Sequence, residues 1–338
     1  MEAIVIGAGI IGSSIAWCLA RRGMSVALFE VGTAGCEASG ASAGMLAPGG
    51  EFGDGSPWTA LALESQAEWP AFAAELSEHS RLPIDYRACG ALDLAYSESE
   101  WSELKARAKV QMGLGIVSSP IAGKEAAPYC EPGFTGAVYY PDDAIVDPRE
   151  VMGSLAVVCR NILRENCAVL SVELKPDSVV VNTAGGSLEA QCAVLAAGAW
   201  SSTIATCPES FAVKGHLNGY LLPPGSIGPI LRRDHTYVMQ RSSGYTIAGS
   251  TAERVGIDRT VNSALTADIH ERAESFVPLL RGVPPAHAWC GLRPATAALE
   301  PVVRRVPGSN LWLAYGHYRN GILLAPVTAR IIADEITR

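Results

Sequence analysis

The chain has 338 residues, enough for about two domains at roughly 150 residues each. Apolar residues make up 49% of the chain and charged residues 18%, a balance that excludes an intrinsically disordered protein and a coiled coil. The formal net charge of −8, together with the lack of a Lys/Arg-rich run, argues against a nucleic-acid partner.

Nine cysteines occur without a C-x-x-C pair. We therefore expect reduced, mostly buried thiols in a cytoplasmic protein, and neither a zinc site nor a disulfide framework. The uncharged segment from Ala3 to Ala20 is long enough for a membrane span, but three glycines interrupt it and no basic residue precedes it. We expect a soluble, unprocessed chain with no membrane partner.

The N-terminus predicts a strand, a glycine turn and a helix. The β-branched run at residues 3–6 precedes Gly7-Ala8-Gly9-Ile10-Ile11-Gly12, and a helix-compatible segment follows to Arg22. In such a motif the first glycine permits a tight turn, the second lets the backbone approach a diphosphate, and the third lets the helix pack on the strand. The first helical turn then directs its N–H groups at the phosphates. The expected nucleotide contacts here are Gly7, Gly9, Ile10, Ile11 and Gly12.

A second buried strand is predicted over Met24 to Phe29, between Gly23 and Glu30. A carboxylate at the end of this strand accepts hydrogen bonds from both ribose hydroxyls and repels a 2′-phosphate, which favours the ADP half of FAD or NAD over NADP. FAD and NAD share that half, so this motif leaves the choice between them open.

Two later stretches bear on the same site. Residues 39–48 are small and glycine-rich, which fits contact with a flat or phosphorylated ligand and equally fits an ordinary tight loop. Residues 193–200 predict a buried strand that ends in a glycine turn. We expect this strand to return the chain to the nucleotide sheet.

Between these stretches the sequence predicts a second domain. Helical spacing covers Trp58 to Ser80, and strands are predicted at residues 84–86 and 91–96. Asp147-Pro148 begins a helix that we extend to Arg164. A hairpin at residues 169–174 and 178–183 follows it.

The C-terminal half alternates again between the two predicted domains. Its predicted strands cover residues 213–222, 236–240, 245–249 and 311–315, and its predicted helices cover residues 267–280 and 322–336. The fold expected is α/β: a discontinuous, Rossmann-like nucleotide domain and a smaller α+β domain on a mixed sheet. The nucleotide domain is placed at residues 1–55, 145–210 and 290–338, and the second domain at residues 56–144 and 211–289.

The stretch from Gly316 to Pro326 joins the last strand to the last helix. Its glycines permit close approach of a planar ligand, and the helix N-terminus could stabilise negative charge on a reduced flavin. Arg319 offers a two-pronged grip on a carboxylate or, alternatively, an ion pair between domains. His317 could act as an acid or base, or only hydrogen-bond a cofactor.

Two further residues are candidates for the same cavity. Arg293, in Gly291-Leu292-Arg293-Pro294, is placed between a strand and a turn, where it could bind a charged group or form a structural ion pair. Tyr237 could bring a phenol over the ligand, or pack in the core. Because the sequence shows no catalytic triad, P-loop or metalloprotease motif, we expect a bound cofactor to carry the chemistry.

These motifs together resemble the glycine oxidase branch (ThiO type) of the D-amino-acid oxidase family. The resemblance rests on residues 7–12 with Glu30, and on residues 43–48, 291–294 and 316–325. It implies noncovalent FAD in a discontinuous domain of the glutathione-reductase type, with a smaller mixed-sheet domain over the flavin. The further FAD contacts implied are Ser42, Ala43, Gly44, Met45, Leu46, Ala197, Gly198, Trp200, Gly316, Tyr318, Arg319, Asn320, Gly321 and Ile322.

The resemblance also implies roles and a reaction. It makes Arg293 the carboxylate-binding arginine, Tyr237 its helper and Arg319 a second arginine near the site. Hydride would pass from Cα of glycine or a similarly small amino acid to flavin N5, and dioxygen would regenerate FAD and yield hydrogen peroxide. Glycine as substrate would link the protein to thiazole formation in thiamine biosynthesis. The oligomeric state stays open, a homo-oligomer included.

The sequence departs from the family pattern at two places. Ala298-Leu299-Glu300-Pro301 stands where Asp-Gly-x-Pro is common, and His216 stands where Gln or Glu usually follows Lys/Arg-Gly. These departures put flavin-edge contacts and the pocket in doubt. The alternatives are a D-amino-acid dehydrogenase with a non-oxygen acceptor, a flavin-binding protein without turnover, and an NAD-dependent dehydrogenase.

Overall fold

A computed structural model describes residues 1–53, 55–122 and 130–338. Residues 54 and 123–129, which the predicted domain ranges include, lie outside the described residues. The helices are α1 (Ile10–Arg21), α2 (Ala38–Ala41), α3 (Pro48–Glu51), α4 (Pro57–Ser80), α5 (Glu98–Gly113), α6 (Pro148–Val158), α7 (Ser201–Ile204), α8 (Ser263–Phe276) and α9 (Ala325–Ile336). The strands are β1 (Ala3–Ile6), β2 (Val26–Phe29), β3 (Met45–Leu46), β4 (Tyr86–Arg87), β5 (Ala91–Ala95), β6 (Ser119–Ala122), β7 (Gly136–Tyr140), β8 (Ala144–Val146), β9 (Leu163–Arg164), β10 (Val169–Leu174), β11 (Val179–Thr183), β12 (Gly186–Ala190), β13 (Cys192–Leu195), β14 (Phe211–Leu221), β15 (Ile230–Arg233), β16 (Thr236–Gln240), β17 (Tyr245–Gly249), β18 (His287–Ala295), β19 (Val302–Arg305) and β20 (Leu311–Tyr315).

One of the two main sheets has six strands in the order β19-β20-β13-β1-β2-β9. Its strands run parallel except for β19, which pairs antiparallel with β20. The sheet draws its strands from three separate stretches of sequence, as predicted for a discontinuous nucleotide domain. The carboxyl ends of β1, β2, β13 and β20 therefore meet at one edge, where open parallel sheets bind ligands.

Alternation along β1 explains how this sheet is packed on both faces. Ala3 and Val5 face a core shared with helices α1, α4, α6 and α9. Ile4 and Ile6 face the opposite core, against a three-stranded antiparallel sheet of β10, β11 and β12. Successive side chains of a strand point to opposite faces, so a fully apolar run satisfies both cores. The result is three layers: helices, parallel sheet and small antiparallel sheet.

The second half is built on an eight-stranded sheet in the order β18-β14-β17-β16-β15-β5-β7-β6. Its pairs are antiparallel apart from β5 and β15, so the sheet is mixed, as predicted. Helix α8 packs Ile269 and Phe276 on one face of it. Strand β15 was not predicted, because two of its four residues are arginines, which are uncommon in a buried strand.

Several predicted elements differ from the structure. Helix α8 begins and ends four residues earlier than the predicted helix 267–280, because the Asn262 side chain caps its start. Helix α6 ends at Val158 and not at Arg164, because the backbone at residues 162–164 pairs instead with β2 (Leu28 N to Ile162 O, 2.9 Å). Arg293 lies inside β18 and not beside a turn, because β18 pairs with β14 along its whole length. The last helix begins at Ala325, three residues later than predicted.

The predicted domain ranges stay a prediction, and two of their boundaries cut across packed elements. Helix α4 falls in the range 56–144, yet the indole of its Trp69 donates a hydrogen bond to the Leu323 carbonyl (2.9 Å) and its Phe72 ring lies 5.6 Å from that of Trp17 on α1. The boundary at residue 290 falls within β18. Among the helices of the described residues, none has the length and apolarity needed to cross a bilayer.

Candidate active site

A cavity of about 500 Å³ lies where the carboxyl edge of the six-stranded sheet meets the eight-stranded sheet. It is lined by the candidate catalytic residues Arg293, Arg319 and Tyr237 and by most of the predicted cofactor contacts. Those contacts are Gly7, Gly9, Ile10, Ile11, Glu30, Ser42, Ala43, Gly44, Met45, Ala197, Gly198, Trp200, Gly316, Tyr318, Arg319, Asn320, Gly321 and Ile322.

Two predicted contacts do not line the cavity. A Cβ on Gly12 would lie 1.9 Å from the Gly7 carbonyl oxygen, so this glycine lets α1 pack onto the turn that precedes it. Leu46 is fully buried in the core beside the helices. Both residues support the wall of the cavity from behind.

The dinucleotide end of the cavity is formed by the β1 turn and the start of α1. Gly7 has φ of +99°, a conformation that favours glycine. The Glu30 carboxylate accepts hydrogen bonds from the backbone N–H of Ala8 (2.8 Å) and of Gly32 (3.0 Å). The first turn of α1 holds no acidic residue, so its N-terminal dipole is free to act on an anion. These residues fit the ADP half of FAD.

The opposite wall comes from the short elements after Glu37. The Ser39 hydroxyl accepts a hydrogen bond from the Ile10 N–H (2.9 Å), which fixes this wall against α1. Gly44 has φ of +94°, and a Cβ there would lie 2.0 Å from the Val146 carbonyl oxygen. The small side chains of this segment therefore let its backbone approach a ligand closely.

Arg293 enters the other end of the cavity from β18. Its Nη1 donates to the Thr251 carbonyl oxygen (2.9 Å). The guanidinium lies flat over Gly215, where any Cβ would be 2.2 Å from Nη1. Among the residues that the structure describes, no carboxylate lies within 4.0 Å of this guanidinium. Desolvation lowers the pKa of Arg293, but an arginine side chain stays charged at neutral pH. The guanidinium can therefore bind an anionic group of a ligand.

Tyr237 places a phenol beside Arg293. The residue is buried on β16, and its ring packs over Gly249, where a Cβ would lie 2.7 Å from the hydroxyl oxygen. Burial raises the pKa of Tyr237 to about 12, while the positive charges of Arg293 and Arg319 act to lower it. The phenol thus stays protonated at neutral pH and can donate a hydrogen bond to a carboxylate.

Arg319 is already paired, in contrast to Arg293. Its Nε and Nη2 lie 3.0 and 2.9 Å from one carboxylate oxygen of Glu51, at the end of α3. The nearby Glu51 charge raises the pKa of Arg319. Arg319 thus forms an ion pair, but with a residue of the same predicted nucleotide domain and not across the two domains; both partners line the cavity.

Buried charges hold α3, and with it Glu51, against the eight-stranded sheet. Arg232 on β15 pairs with Asp93 and with Asp143 (2.9 Å), and all three side chains are at most 10% exposed. Asp143 accepts a hydrogen bond from the Gly49 N–H (3.3 Å), and Gln111 donates one to the Gly49 carbonyl (2.9 Å). Glu51 thus points into the cavity from a fixed backbone.

His317 lines the cavity but is turned into the protein. Its Nε2 lies 3.1 Å from the Thr328 hydroxyl. Burial lowers the pKa of His317 to about 3, far from the value near the working pH that a general acid or base needs. We infer that His317 supports the turn and does not transfer protons.

The depressed pKa of His317 predicts a loss of stability in acid. Between pH 6.5 and 3 the unfolded state takes up a proton on this histidine and the folded state does not, so stability falls by roughly 1.4 kcal/mol per pH unit below about 6.5. His317→Gln should flatten the pH dependence of the unfolding free energy by this slope, measured by urea titration between pH 7 and 4.5. The exposed His235→Gln is the control, and equal slopes for all three proteins would contradict the assignment.

The two departures from the family pattern lie outside the cavity. His216 is buried on β14, with Nδ1 3.0 Å from the Thr251 hydroxyl and from the Glu253 carboxylate. Leu299 is at the tip of the turn between β18 and β19, with φ of +57°. Neither residue lines the cavity, so neither departure removes a group from it.

Several lining residues were missing from the sequence prediction, notably Glu37, Glu51, Thr203, Leu217 and Arg259. Ser39 was part of a stretch that we singled out, but it was not among the predicted contacts. No local signal identifies Glu51 or Arg259, because each is held at the cavity wall by an ion pair with a residue distant in sequence, Arg319 and Glu37 respectively.

Comparison with known proteins gives a consistent result. A family model described as DAO, FAD dependent oxidoreductase, matches residues 2–335. Glycine oxidase from Geobacillus kaustophilus is 31% identical, over 100% of this chain and 93% of that protein. The bifunctional protein ThiO/ThiG from Synechocystis is 30% identical, over 99% of this chain and 51% of that protein. The crystal structure of the Geobacillus kaustophilus glycine oxidase matches with a TM-score of 0.95 and covers 100% of this chain and 94% of that chain. The predicted fold class is confirmed.

Proposed function

The chain belongs to the DAO family of FAD-dependent oxidoreductases, and on this premise we propose that it oxidises the Cα–N bond of glycine or a similarly small amino acid. The observation that carries the proposal is the partly buried Arg293 guanidinium, which has no carboxylate within 4.0 Å in the described residues and lies beside the protonated phenol of Tyr237. Guanidinium and phenol together match the carboxylate of an amino acid.

The lining residues would hold the two halves of the cofactor at opposite ends of one cavity. Residues 7–11 and Glu30 would hold the ADP half, and the turn at residues 316–322 would lie against the ring system. This turn is fixed to β18 by a hydrogen bond from the Tyr318 N–H to the Pro294 carbonyl (2.7 Å). When bound, FAD would supply the acceptor for the hydride that leaves Cα, and dioxygen would take up the two electrons and two protons to give hydrogen peroxide.

The protein's own part in the reaction is orientation. Arg293 and Tyr237 fix the carboxylate, and the rest of a small substrate is then held close to the turn that carries Gly316. Two lining side chains, those of His317 and Tyr237, could in principle accept a proton, but neither has a pKa near neutrality. The substrate amine therefore reacts in its neutral form without a base from these side chains, and its product is an imine that water hydrolyses.

The Glu51–Arg319 pair supports a substrate with a single carboxylate. Two guanidinium groups and one carboxylate meet at this end of the cavity, which leaves one positive charge, on Arg293, without a partner. A second anionic group on the substrate would have to compete with Glu51 for Arg319 and would be repelled by it. We take this as the physical basis for preferring glycine-like monocarboxylates over diacids.

Glu51→Gln should relax this preference. Removing the charge frees Arg319, so the ratio of malonate to acetate affinity should rise about tenfold, or about 1.4 kcal/mol. Binding is followed by the change in flavin absorbance of the oxidised holoenzyme, and the kcat/KM ratio for D-aspartate over glycine should move in the same direction. The control is Glu64→Gln, which removes an exposed partner of Arg330 2.6 Å away. An unchanged ratio would refute the role of Glu51.

The decisive experiment for the proposed reaction is an anaerobic titration of the FAD-replete protein with glycine, sarcosine and small D-amino acids. Glycine or one of these should bleach the flavin spectrum, and air should restore it with formation of peroxide. Slow reoxidation in air would favour the dehydrogenase alternative, and no bleaching by any compound would favour a flavin-binding protein without turnover. The NAD-dependent alternative is not supported, because the family uses FAD.

We also propose that the product feeds thiazole formation in thiamine biosynthesis. The support is the similarity to the bifunctional protein ThiO/ThiG, together with the small monocarboxylate site described above. The proposal requires glycine to be the preferred amino acid in the titration. A strong preference for any other substrate would remove its basis.

A further inference from the structure

The loop between β17 and α8, residues 250–262, reaches from the substrate end of the cavity to the dinucleotide end. It begins at Ser250 and Thr251, beside Arg293, and its outer part brings Arg259 to the cavity wall. We call it the 250–262 loop. None of its residues was among the predicted cofactor contacts.

Buried polar groups of β14 fix the inner side of the 250–262 loop. Lys214 and Glu253 exchange two backbone hydrogen bonds of 2.9 Å, and the buried Lys214 ammonium lies 2.6 Å from the Asp258 carboxylate. His216 accepts a hydrogen bond from the Asn262 N–H (3.1 Å). The loop is thus held at both ends and in the middle, so the residue that follows Asp258 has a defined position.

Arg259 extends from this loop to the nucleotide-binding half. Its Nη2 lies 2.5 Å and its Nε 3.2 Å from a carboxylate oxygen of Glu37, and its guanidinium carbon lies 5.7 Å from the centre of the Trp200 ring. Glu37 is two residues before Ser39, which binds the N–H of Ile10 in the first turn of α1. Arg259 therefore lies near the helix N-terminus at which the phosphates of a dinucleotide are expected.

Arg259 is the candidate for a positively charged side chain beside the diphosphate, among the lining residues that the structure describes. Among the described lining residues, the arginines and lysines are Arg259, Arg293 and Arg319. Arg293 and Arg319 stand at the substrate end, beside Tyr237. Without Arg259, the described lining residues at the dinucleotide end would offer a diphosphate backbone N–H groups and hydroxyls such as those of Ser39 and Thr203, but no positively charged side chain, in a protein of net charge −8. A planar guanidinium that stays charged is well suited to phosphate oxygens.

We propose that Arg259 is a further FAD-binding residue, which reaches from the 250–262 loop to the phosphates of the cofactor, with Glu37 and Trp200 holding its guanidinium over the cavity. The substrate-binding half thereby helps to retain the cofactor that the other half binds. The proposal rests on the family's use of FAD and not on the proposed substrate. Its failure would leave the reaction with glycine untouched.

The test is the affinity of the apoprotein for FAD, measured by quenching of flavin fluorescence, and it needs no turnover. Arg259→Gln should raise the FAD dissociation constant about tenfold, and Arg259→Lys should raise it less, because lysine keeps the charge without the planar fork. The matched control is Arg254→Gln on the same loop. Arg254 does not line the cavity, and its guanidinium carbon lies 4.8 Å from the centre of the Phe211 ring. An FAD affinity of Arg259→Gln within twofold of the wild type would overturn the proposal.

A second measurement separates cofactor binding from a purely structural role. Arg259 is 56% exposed, so its replacement should leave the Tm of the apoprotein unchanged. It should reduce only the rise in Tm that saturating FAD produces. An equal loss of Tm in the apoprotein and in the holoenzyme would also overturn the proposal, since it would assign Arg259 to domain contact alone.

Discussion

Replacing Arg293 by methionine is expected to lower kcat/KM for glycine roughly a thousandfold, or about 4 kcal/mol, the range seen when one partner of a buried charge pair is truncated. The reason is that Arg293 is the partly buried guanidinium at the substrate end that has no carboxylate partner within the described residues, whereas Arg319 is paired with Glu51. Methionine keeps much of the side-chain volume and removes the charge, so the loss reports the carboxylate contact.

The distribution of this loss between KM and kcat distinguishes binding from folding. KM should rise most, and acetate should no longer perturb the flavin absorbance, while the FAD content stays that of the wild type. Arg293→Lys should recover part of the activity, because it restores a charge without the two-pronged geometry. Arg254→Met serves as the control for loss of an arginine near the same loop. A kcat/KM for Arg293→Met within tenfold of the wild type would refute the assignment.

Replacing Arg232 by methionine is expected to cost roughly 3–5 kcal/mol of unfolding free energy, the cost of leaving a buried charge without a partner. Asp143 would lose its guanidinium partner while only 3% exposed, and Asp93, at 7% exposed, would keep only Arg107, 2.9 Å away. Urea unfolding of the FAD-saturated protein at neutral pH measures the change. The exposed Arg330→Gln, which loses contacts to Glu64 and Glu68, should cost less than about 1 kcal/mol.

A compensating variant tests whether the loss arises from the two carboxylates that Arg232 pairs with. Combining Arg232→Met with Asp93→Asn and Asp143→Asn removes both charges and should recover a substantial part of the stability. If the triple variant is less stable than Arg232→Met alone, cavity formation and not charge would be the dominant cause. Because Asp143 also binds the Gly49 N–H, Arg232→Met should disturb Glu51 and weaken its selection against diacids.

The two arginines of the substrate end show why residue type alone did not define their roles. By residue type, each could hold a charged ligand group or form a structural ion pair, and only the family resemblance made Arg293 the carboxylate-binding arginine and Arg319 a second arginine near the site. In the structure Arg319 pairs with Glu51, 268 positions away in the chain, whereas the hydrogen-bond partner of the Arg293 side chain, within the described part of the chain, is the Thr251 carbonyl. A charge counts as available or compensated only once its neighbours are known, and these neighbours come from the folding of distant segments.

Local patterns predicted several elements closely. Strands β16, β17 and β20 occupy the predicted residues, and α1 follows the glycine motif as expected. Where the prediction was wrong, pairing across the sheet outweighed local preference. Gly291 and Pro294 suggest a turn by composition, yet β18 runs through both because β14 offers a partner along nine positions.

The sequence by itself determined the nucleotide motif, the α/β fold and the glycine turn near the C-terminus, because each depends on residues adjacent in the chain, whose spacing dictates backbone conformation. The tertiary structure alone decided the pairing of Glu51 with Arg319, the burial of Arg232 between two acids, and the reach of Arg259 toward Glu37. These are contacts between charged groups far apart in sequence, and their energies depend on distance and burial, which no local pattern specifies.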